Sequence, residues 1–278
     1  MSFLDRVTVL VLTLNEAPNI GRTLDALSRF PEVVVLDSGS TDETVDIVAR
    51  YSNARLVTRR FEQHAMQWNY GLKNCGIERP WVLALDADYL LSEELVDEVA
   101  TLRPTDTDVG YRVSFRYCIH GRPLSATIYP SHIVLYRRDR GHYVQEGHTQ
   151  RLVVEGRIST LQASIGHDDR KPLARWLASQ QRYARLEADH LLGIPRANLR
   201  YVDKVRLTAW LGPPGVFFYT LLGKRCIFDG WAGLLYVLQR TVAEAIISAE
   251  LVDRKLSGSA SVTPCETGTG SLREVKSE

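Results

Sequence analysis

Three short apolar runs in the first third of the chain each end in acidic or hydroxyl residues. They cover residues 7–14, 33–36 and 81–85, and the last leads directly into Asp86-Ala87-Asp88. Continuous bulky apolar runs of this length are typical of strands buried on both faces of a parallel sheet. Because open α/β sheets bind ligands at the carboxyl ends of their strands, we expect the functional site at that edge.

Helical spacing between the apolar runs completes a β-α-β pattern. Ile20, Leu24 and Leu27 recur at helical intervals after the first run, and we predict a further strand at residues 55–58 and a helix at 67–74. Such units build parallel sheets through right-handed crossovers. The sequence therefore predicts an α/β fold.

Composition narrows the class of protein. The chain has 278 residues, of which 45% are hydrophobic and 24% charged, which suits one large domain with an appendage. A net charge of +1 gives no reason to expect nucleic acid as a partner. The four cysteines lie far apart and no signal peptide is recognisable, so we expect a reducing cytosol. The absence of G-x-G-x-x-G and Walker sequences disfavours classical dinucleotide and P-loop sites.

The Asp86-Ala87-Asp88 triplet suggests a divalent cation. Alternation along an extended chain would send both carboxylates to the same side, where they repel unless a positive charge lies beside them. A cation on oxygen ligands, shared with a diphosphate, meets that need. A solvated aspartate pair in a loop is the alternative. Likewise, Asn15 and Glu16 could simply cap a helix, and residues 38–42 suit a turn.

Three ordered motifs resemble the signature of family 2 glycosyltransferases with the GT-A fold. They are Thr13-Leu14-Asn15-Glu16, Val35-Leu36-Asp37-Ser38-Gly39-Ser40-Thr41-Asp42-Glu43-Thr44 and Leu83-Ala84-Leu85-Asp86-Ala87-Asp88. The resemblance implies a Rossmann-like, mostly parallel nucleotide-binding sheet flanked by helices, with a C-terminal helical appendage. It also implies a UDP-sugar donor and Mn²⁺ or Mg²⁺.

The resemblance also assigns roles to individual residues. Asp37 would accept a hydrogen bond from the base, Asp88 would bind the metal on the diphosphate, and Asp86 would face the ribose or the metal. Tyr89 departs from the pattern, because members often carry Glu after the aspartate pair. The implied donor-binding residues are Thr13, Leu14, Asn15, Glu16, Asp37, Ser40, Asp42, Asp86, Ala87 and Arg170.

The middle of the chain is expected to supply the acceptor side and a base. Strands are predicted at residues 111–117 and 127–137, joined by the hairpin His120-Gly121-Arg122-Pro123. An inverting transfer needs a base for the acceptor hydroxyl, and related enzymes place an acidic residue near Glu146. Asp168 is a rival, as is Asp169, and a surface carboxylate on a hairpin is the alternative for Glu146.

His167 is a candidate further metal ligand. Many GT-A enzymes use a late histidine in this way, and neutral imidazole suits Mn²⁺ better than Mg²⁺. A structural histidine is the alternative. The stretch from His167 to Tyr183 resembles lipooligosaccharide β-1,4-glucosyltransferases and lipopolysaccharide inner-core glycosyltransferases.

The same stretch predicts a helix that starts after Pro172. Its apolar face is expected to comprise Leu173, Leu177, Tyr183 and Leu186. Basic residues near its start could meet the donor diphosphate or a phosphorylated sugar, with solvated charges as the alternative. These basic residues are Arg170, Lys171 and Arg175.

The composition changes after the predicted catalytic domain at residues 1–200. Residues 201–256 are expected to form amphipathic helices, and residues 257–278 a disordered tail. The helices could lie on the cytoplasmic leaflet, or instead form a packed hairpin or dimer contact. The basic residues expected to face anionic lipid are Lys204, Arg206, Lys224 and Arg225.

These observations predict a metal-dependent, inverting glycosyltransferase in cell-envelope glycan synthesis. It would move a hexose, with glucose the first choice, from a UDP-sugar to a glycolipid or lipopolysaccharide-core acceptor. The expected location is cytoplasmic, peripheral on the inner face of the cytoplasmic membrane. The alternatives are a polyprenyl-phosphate glycosyltransferase and an inactive nucleotide-sugar-binding scaffold.

Overall fold

The computed structural model describes residues 2–146 and 149–259, and gives the backbone alone for Glu146, Thr149 and Ser259. The strands are β1 (Val7–Thr13), β2 (Val33–Asp37), β3 (Ala54–Thr58), β4 (Trp81–Asp86), β5 (Tyr89–Leu91), β6 (Asp108–Ile119), β7 (Arg122–Pro123), β8 (His132–Arg137), β9 (Gly141–Glu146), β10 (Thr149–Val154) and β11 (Arg157–His167). The helices are α1 (Ile20–Ala26), α2 (Thr44–Val48), α3 (His64–Asn74), α4 (Glu93–Thr101), α5 (Leu173–Gly193), α6 (Tyr201–Arg206), α7 (Gly212–Phe218) and α8 (Gly230–Ser259).

Most strands join one sheet in the order β3-β2-β1-β4-β8-β6-β11-β5, with β7 paired to β6 and a separate β9–β10 hairpin. β1 runs parallel to β2 and β4, and β2 runs parallel to β3. The register sets Thr13 beside Asp37, and Leu12 beside Asp86. The predicted α/β fold with a mostly parallel sheet is confirmed, and the three polar strand ends meet at one edge.

The parallel strands are buried on both faces, which explains their unbroken apolar sequences. Val9 and Val11 of β1 pack on one face with Leu24 of α1. Leu10 turns to the opposite face and packs with Trp68 of α3. Each such side chain contributes about 1.5–3 kcal/mol by leaving water, so the two layers fix the sheet between its helices.

The chain turns between Asp86 and Asp88, so the expectation that the two carboxylates follow strand alternation is wrong. β4 ends at Asp86, and β5 begins at Tyr89. The turn is held in place because the buried carbonyl of Ala87 accepts a 2.7 Å hydrogen bond from the hydroxyl of Thr23. β5 then pairs with β11, which sets His167 beside Tyr89.

The predicted strand at residues 111–117 is confirmed within β6, whereas the one at 127–137 is only partly right. β8 starts at His132, because the preceding backbone bonds to α8 instead of to a strand. The amide of Ile128 donates to the hydroxyl of Tyr236 at 3.0 Å. The predicted hairpin at residues 120–123 joins β6 to β7 and not to the longer strand.

Helix α5 begins after Pro172 as predicted, but its predicted apolar face is wrong. Leu173, Leu177 and Leu186 are exposed. The buried side combines Ala184 and Ala188 with Glu187 and Leu191, and Ala188 and Leu191 pack with Leu251 of α8. The two alanines let α5 and α8 approach closely, and this contact buries a face different from the one that the exposed leucines define.

The predicted C-terminal helical region forms α6, α7 and α8. Helix α8 extends to Ser259, three residues into the stretch expected to be disordered, and residues 260–278 lie outside the described structure. The division at residue 200 stays a prediction. Within residues 2–146 and 149–259, none of the helices combines the length and apolar character needed to cross a bilayer.

Arg206 does not face outward as expected. Its guanidinium lies 2.8 Å from Glu244 of α8 and 3.2 Å from Glu187 of α5, and both carboxylates are buried. Asp203, also buried, lies 3.8 Å away. The expectation that Arg206 meets lipid head groups is therefore wrong, because this cation compensates interior carboxylates.

Candidate functional site

Asn15 ties the loop after β1 to the loop after β2. Its backbone is left-handed, with φ 54°, a conformation that asparagine tolerates. Its side-chain oxygen accepts hydrogen bonds from the amides of Thr41 at 2.6 Å and Asp42 at 3.2 Å. Its own amide donates to Ser40 Oγ at 2.7 Å. The side chain of Asn15 thus holds together the two loops that border the predicted nucleoside pocket.

Asp37 is buried and bonded to its own loop. One carboxylate oxygen accepts from the amides of Gly39 at 2.9 Å and Ser40 at 2.8 Å, and the other accepts from Ser40 Oγ at 2.5 Å. Asp42 accepts from the amide of Thr44 at 3.1 Å, which starts α2. These hydrogen bonds stabilise the loop after β2. The contact between Asp37 and the base of the nucleoside stays a prediction.

Thr13 and Leu14 line the end of β1 in different ways. Thr13 is buried, and its hydroxyl has no hydrogen-bond partner among the described residues. Leu14 is partly exposed, and its carbonyl accepts from the guanidinium of Arg175 at 2.8 Å. The same guanidinium donates to the carbonyl of Asn15 at 2.5 Å. The start of α5 therefore closes over the first loop.

Asp88 and His167 form the centre of the site. His167 Nε2 lies 3.2 Å from Asp88 Oδ2, and the amide of Asp168 donates to the carbonyl of Asp88 at 3.2 Å. Burial alone would raise the pKa of Asp88, but His167 and Lys171 outweigh it and lower that pKa to about 2. Asp88 is therefore ionised, and its charge is compensated by the imidazole of His167 and the ammonium of Lys171.

Asp86 lies in a different electrostatic environment. Burial and the neighbouring charge of Asp88 raise the pKa of Asp86 to about 6. Tyr89 opposes that rise in the pKa of Asp86, and its hydroxyl hydrogen-bonds to that of Tyr129. Tyr89, which departs from the family pattern, thus influences the ionisation of the first carboxylate of the pair.

Aromatic rings enclose His167. Its ring centroid lies 4.7 Å from that of Tyr117, 4.8 Å from Tyr129 and 5.3 Å from Tyr89. Burial lowers the pKa of the imidazole, but the carboxylate of Asp88 more than offsets that effect, so the net shift is upward. The rings fix the imidazole so that Nε2 faces Asp88.

The side-chain atoms of this site provide part of the ligand set that a divalent cation needs. Two adjacent ligands of an octahedral ion lie about 3.0 Å apart when each is about 2.1 Å from the metal. The 3.2 Å between Asp88 Oδ2 and His167 Nε2 matches that spacing. In the part of the chain that the structure describes, no three His, Cys, Asp or Glu side chains form a ready ligand set. Further ligands would therefore have to come from the substrate and water.

Lys171 lies in a cluster of acidic residues beside this pair. Its Nζ is 2.6 Å from Glu16 and 3.2 Å from Asp169. Asn19 links those two carboxylates, donating at 2.8 Å and 3.0 Å. Burial raises the pKa of Glu16 to about 7, although Lys171 opposes that shift. Lys171 therefore compensates the negative charge of this acidic cluster.

The side chains of Asp168 and Arg170 form an ion pair with each other. Asp168 Oδ2 accepts from Arg170 Nε and Arg22 Nη1, each at 2.8 Å, and Oδ1 accepts from the amide of Gly121 at 3.0 Å. Burial would raise the pKa of Asp168, but Arg170 and the Gly121 amide hold it below its usual value. Such a carboxylate is poorly suited to act as a base, so the geometry favours a structural role for Asp168.

Glu146 ends β9, and its side chain lies outside the described structure, as do residues 147 and 148. The strand itself is anchored to α3, because the side chain of Asn69 accepts from the amide of Tyr143 at 2.9 Å and donates to its carbonyl at 2.8 Å. Trp68 stacks on Tyr143 at 5.3 Å. The assignment of Glu146 as the base stays a prediction.

Several side chains at the site were not among the predicted site residues. They are the tyrosines around His167, Arg22 on Asp168 and Asn19 between the carboxylates. Tyr89 was visible as a departure from the family pattern. The others carry no local sequence signal, since they reach the site from separate strands and helices.

Comparison with known proteins identifies the family. The model for glycosyl transferase family 2 matches residues 8–140. The lipopolysaccharide core biosynthesis glycosyltransferase LpsC of Rhizobium meliloti (strain 1021) is 30% identical over 264 residues, covering 89% of this chain and 92% of that protein. An uncharacterized glycosyltransferase of Rickettsia bellii (strain RML369-C) is 35% identical over 95 residues, covering 34% of this chain and 31% of that protein. The chain therefore belongs to glycosyltransferase family 2 and is a glycosyltransferase, as the motifs predicted.

Solved structures align with the chain at low sequence identity. S. aureus TarS 1-349 aligns with a TM-score of 0.45 and 17% identity, covering 91% of this chain and 91% of that chain. Glucosyl-3-phosphoglycerate synthase from Mycobacterium tuberculosis, in complex with Mn²⁺, UDP and glucosyl-3-phosphoglycerate, aligns with a TM-score of 0.42 and 17% identity, covering 69% of this chain and 82% of that chain. Both likenesses are weak and concern the fold alone.

Proposed function

We propose that this glycosyltransferase transfers a hexose, with glucose the first choice, from a UDP-sugar to a glycolipid acceptor such as the lipopolysaccharide core. The observation that carries the proposal is the pairing of Asp88 with His167 beside the ammonium of Lys171, at the carboxyl edge of the sheet. A relative aligned over 92% of its length is named for lipopolysaccharide core biosynthesis, which supports the acceptor class. We further propose that the protein works at the inner face of the cytoplasmic membrane, where a cytosolic donor meets a lipid-anchored acceptor.

The proposed donor site combines a metal with basic and polar side chains. Mn²⁺ or Mg²⁺, when bound, offsets negative charge on the UDP leaving group. Asp88 and His167 would hold the ion, with Asp86 beside them. Lys171 would bind the diphosphate oxygens through charge-assisted hydrogen bonds. The buried hydroxyl of Thr13, which lacks a partner in the described structure, would bond to the nucleoside.

The proposed transfer inverts the anomeric carbon in a single displacement. The acceptor oxygen forms a bond to that carbon while the bond to the diphosphate oxygen breaks, and UDP leaves with the electron pair. Glu146 would take the proton from the acceptor hydroxyl. We prefer Glu146 to Asp168, because Arg22 and Arg170 already occupy the carboxylate of Asp168.

Calorimetric titration with UDP tests the donor site. Wild-type protein is expected to bind UDP more tightly with Mn²⁺ than without it, and more tightly than it binds GDP. Asp88→Ala is expected to lose the Mn²⁺-dependent gain, by at least about tenfold in affinity, because the ion loses a carboxylate ligand.

The control is Asp106→Ala, which removes an exposed aspartate far from the site in sequence and is expected to bind as wild type does. Equal UDP affinity of the wild type with and without Mn²⁺ would contradict the metal. An undiminished Mn²⁺ gain in Asp88→Ala would contradict the role of Asp88.

A further inference from the structure

A short stretch between α7 and α8 exposes large apolar side chains next to basic ones. Residues 218–231, here called the apolar projection, comprise the end of α7, a π-helical turn at Tyr219–Gly223, a 3₁₀ turn at Cys226–Asp229 and the start of α8. Phe228 is 81% exposed and Trp231 80%. The other large apolar side chains of the apolar projection that are more than half exposed are Phe218, Tyr219, Leu222 and Ile227. Clustered exposure of this kind marks an interaction surface.

The inner side of the apolar projection is packed, so its outer side is presented by a defined framework. Cys226 is fully buried and packs with Tyr236 and Val237 of α8. Gly233 lets α8 approach this turn, since a Cβ there would lie 1.9 Å from the carbonyl oxygen of Cys226. The exposed aromatic residues therefore stand on a folded base and are not the result of local unfolding.

The charges of the apolar projection are complementary to an anionic surface. Arg225 is exposed, and the ammonium of Lys224 lies 5.6 Å from the ring centroid of Tyr219. The acidic side chain of Asp229 is engaged, since it accepts from the hydroxyl of Ser125 at 2.5 Å. Aromatic and aliphatic side chains flanked by Lys and Arg are typical of segments that lie in the head-group region of anionic bilayers. Protein interfaces instead tend to be depleted of lysine.

Hydrogen bonds connect the apolar projection to the catalytic centre through residues 124–131. Asp229 holds Ser125, and the hydroxyl of Tyr236 on α8 accepts from the amide of Ile128 at 3.0 Å. Tyr129, in the same loop, packs its ring 4.8 Å from that of His167. The apolar projection therefore has a fixed position relative to the edge of the sheet where the donor site is proposed.

We propose that the apolar projection inserts into the head-group region of an anionic bilayer and holds the active site at a set distance from the lipid surface. Phe228 and Trp231 enter the apolar boundary, while Lys224 and Arg225 bind lipid phosphates. Only its relevance to the acceptor rests on the proposed function, because docking on lipid needs neither donor nor metal.

Vesicle sedimentation of the full chain tests this docking. The wild type is expected to bind vesicles of phosphatidylethanolamine and phosphatidylglycerol. The Phe228→Ser/Trp231→Ser variant is expected to bind at least about tenfold more weakly, because two apolar anchors are lost. The matched control is Leu186→Ser/Leu192→Ser, which removes two exposed leucines of α5 and is expected to bind as wild type does.

Charge variants distinguish specific binding to anionic lipid from nonspecific adsorption to any bilayer. Lys224→Gln and Arg225→Gln are each expected to weaken binding to phosphatidylglycerol vesicles about fivefold. Neither is expected to change the weaker binding to phosphatidylcholine vesicles. Unfolding temperatures within error of the wild type confirm that each variant is folded.

Two results would overturn the proposal. One is equal vesicle binding by the wild type and by Phe228→Ser/Trp231→Ser. The other is a wild-type dimer in analytical ultracentrifugation that these substitutions convert to monomer, without vesicle binding by either form. UDP titration of the same variants is expected to match the wild type. A failure of UDP binding in the wild type would count against the proposed function and leave lipid docking standing.

Discussion

The ammonium of Lys171 interacts electrostatically with several carboxylates. Its ammonium contacts Glu16 and Asp169, and the charge of Asp88 also acts on it. Burial lowers the pKa of Lys171, but these carboxylates outweigh burial and raise it above its ordinary value. Lys171 therefore stays charged over the physiological pH range, which the proposed binding of a diphosphate requires.

Lys171→Met keeps the apolar stem and removes the charge. We expect the affinity for UDP to fall about tenfold, because one ion pair to the diphosphate is lost. We also expect the free energy of unfolding to fall by about 2 kcal/mol, because the half-buried Glu16 and Asp169 are left without their cation. Calorimetry and chemical denaturation measure the two effects. Lys73→Met, at an exposed position of α3, serves as the control, and unchanged UDP affinity in Lys171→Met would contradict the phosphate-binding role.

The sequence predicted which residues gather at the site better than it predicted their bonds. Asn15 and Asp37 were expected to face the nucleoside, which stays a prediction; the structure shows Asn15 bonded to the loop after β2 and Asp37 bonded to its own loop. Those bonds depend on a left-handed residue and on the distance between two strand ends, which spacing alone does not contain. The contact between Asp88 and His167 could be anticipated only through the family resemblance.

At the scale of secondary structure, strands were easier to predict than helix faces. β1, β2 and β4 are buried on both sides, so their apolar runs leave no choice of face. In α5 the exposed leucines gave the stronger pattern, but α8 packs on the face that carries Ala188 and Leu191. Alanine and a buried glutamate, Glu187, do not mark an apolar face in the sequence, and the partner helix lies far along the chain.

Ala188→Leu tests the close approach of α5 and α8. Ala188 is fully buried, so the three heavy atoms that leucine adds cannot be accommodated without moving α8. We expect a loss of about 2 kcal/mol in the free energy of unfolding. Ala178→Leu, on the exposed side of the same helix, is expected to change stability by less than about 0.5 kcal/mol. Equal denaturation midpoints for the two variants would contradict the packing described.

At the scale of the whole molecule, Arg206 joins three helices. It lies on α6 and pairs with Glu187 of α5 and Glu244 of α8. A half-buried cation shared by buried carboxylates is a costly arrangement to break, because each unpaired carboxylate keeps its desolvation penalty. The C-terminal helices are thereby fixed to α5, whose start closes over the loop after β1.

Arg206→Met is expected to lower the free energy of unfolding by about 4 kcal/mol, since Glu187 and Glu244 lose their partner. Lys204→Met, on the same helix, is expected to be nearly neutral. Thermal unfolding monitored by circular dichroism compares the two. An unfolding temperature of Arg206→Met equal to that of the wild type would contradict the stabilising role of Arg206.

The place of β11 between β6 and β5 has a consequence for the growing chain on the ribosome. When residue 140 has been made, the parallel strands β1 to β4 are present, but β11, the parallel neighbour of β6, is not. β5 therefore lacks its partner strand, and Asp88 lacks His167. Arg175, which donates to the carbonyls of Leu14 and Asn15, is made later still. Under the proposed function, a nascent chain is therefore expected to gain no stability from the UDP-sugar donor until most of its length has been translated.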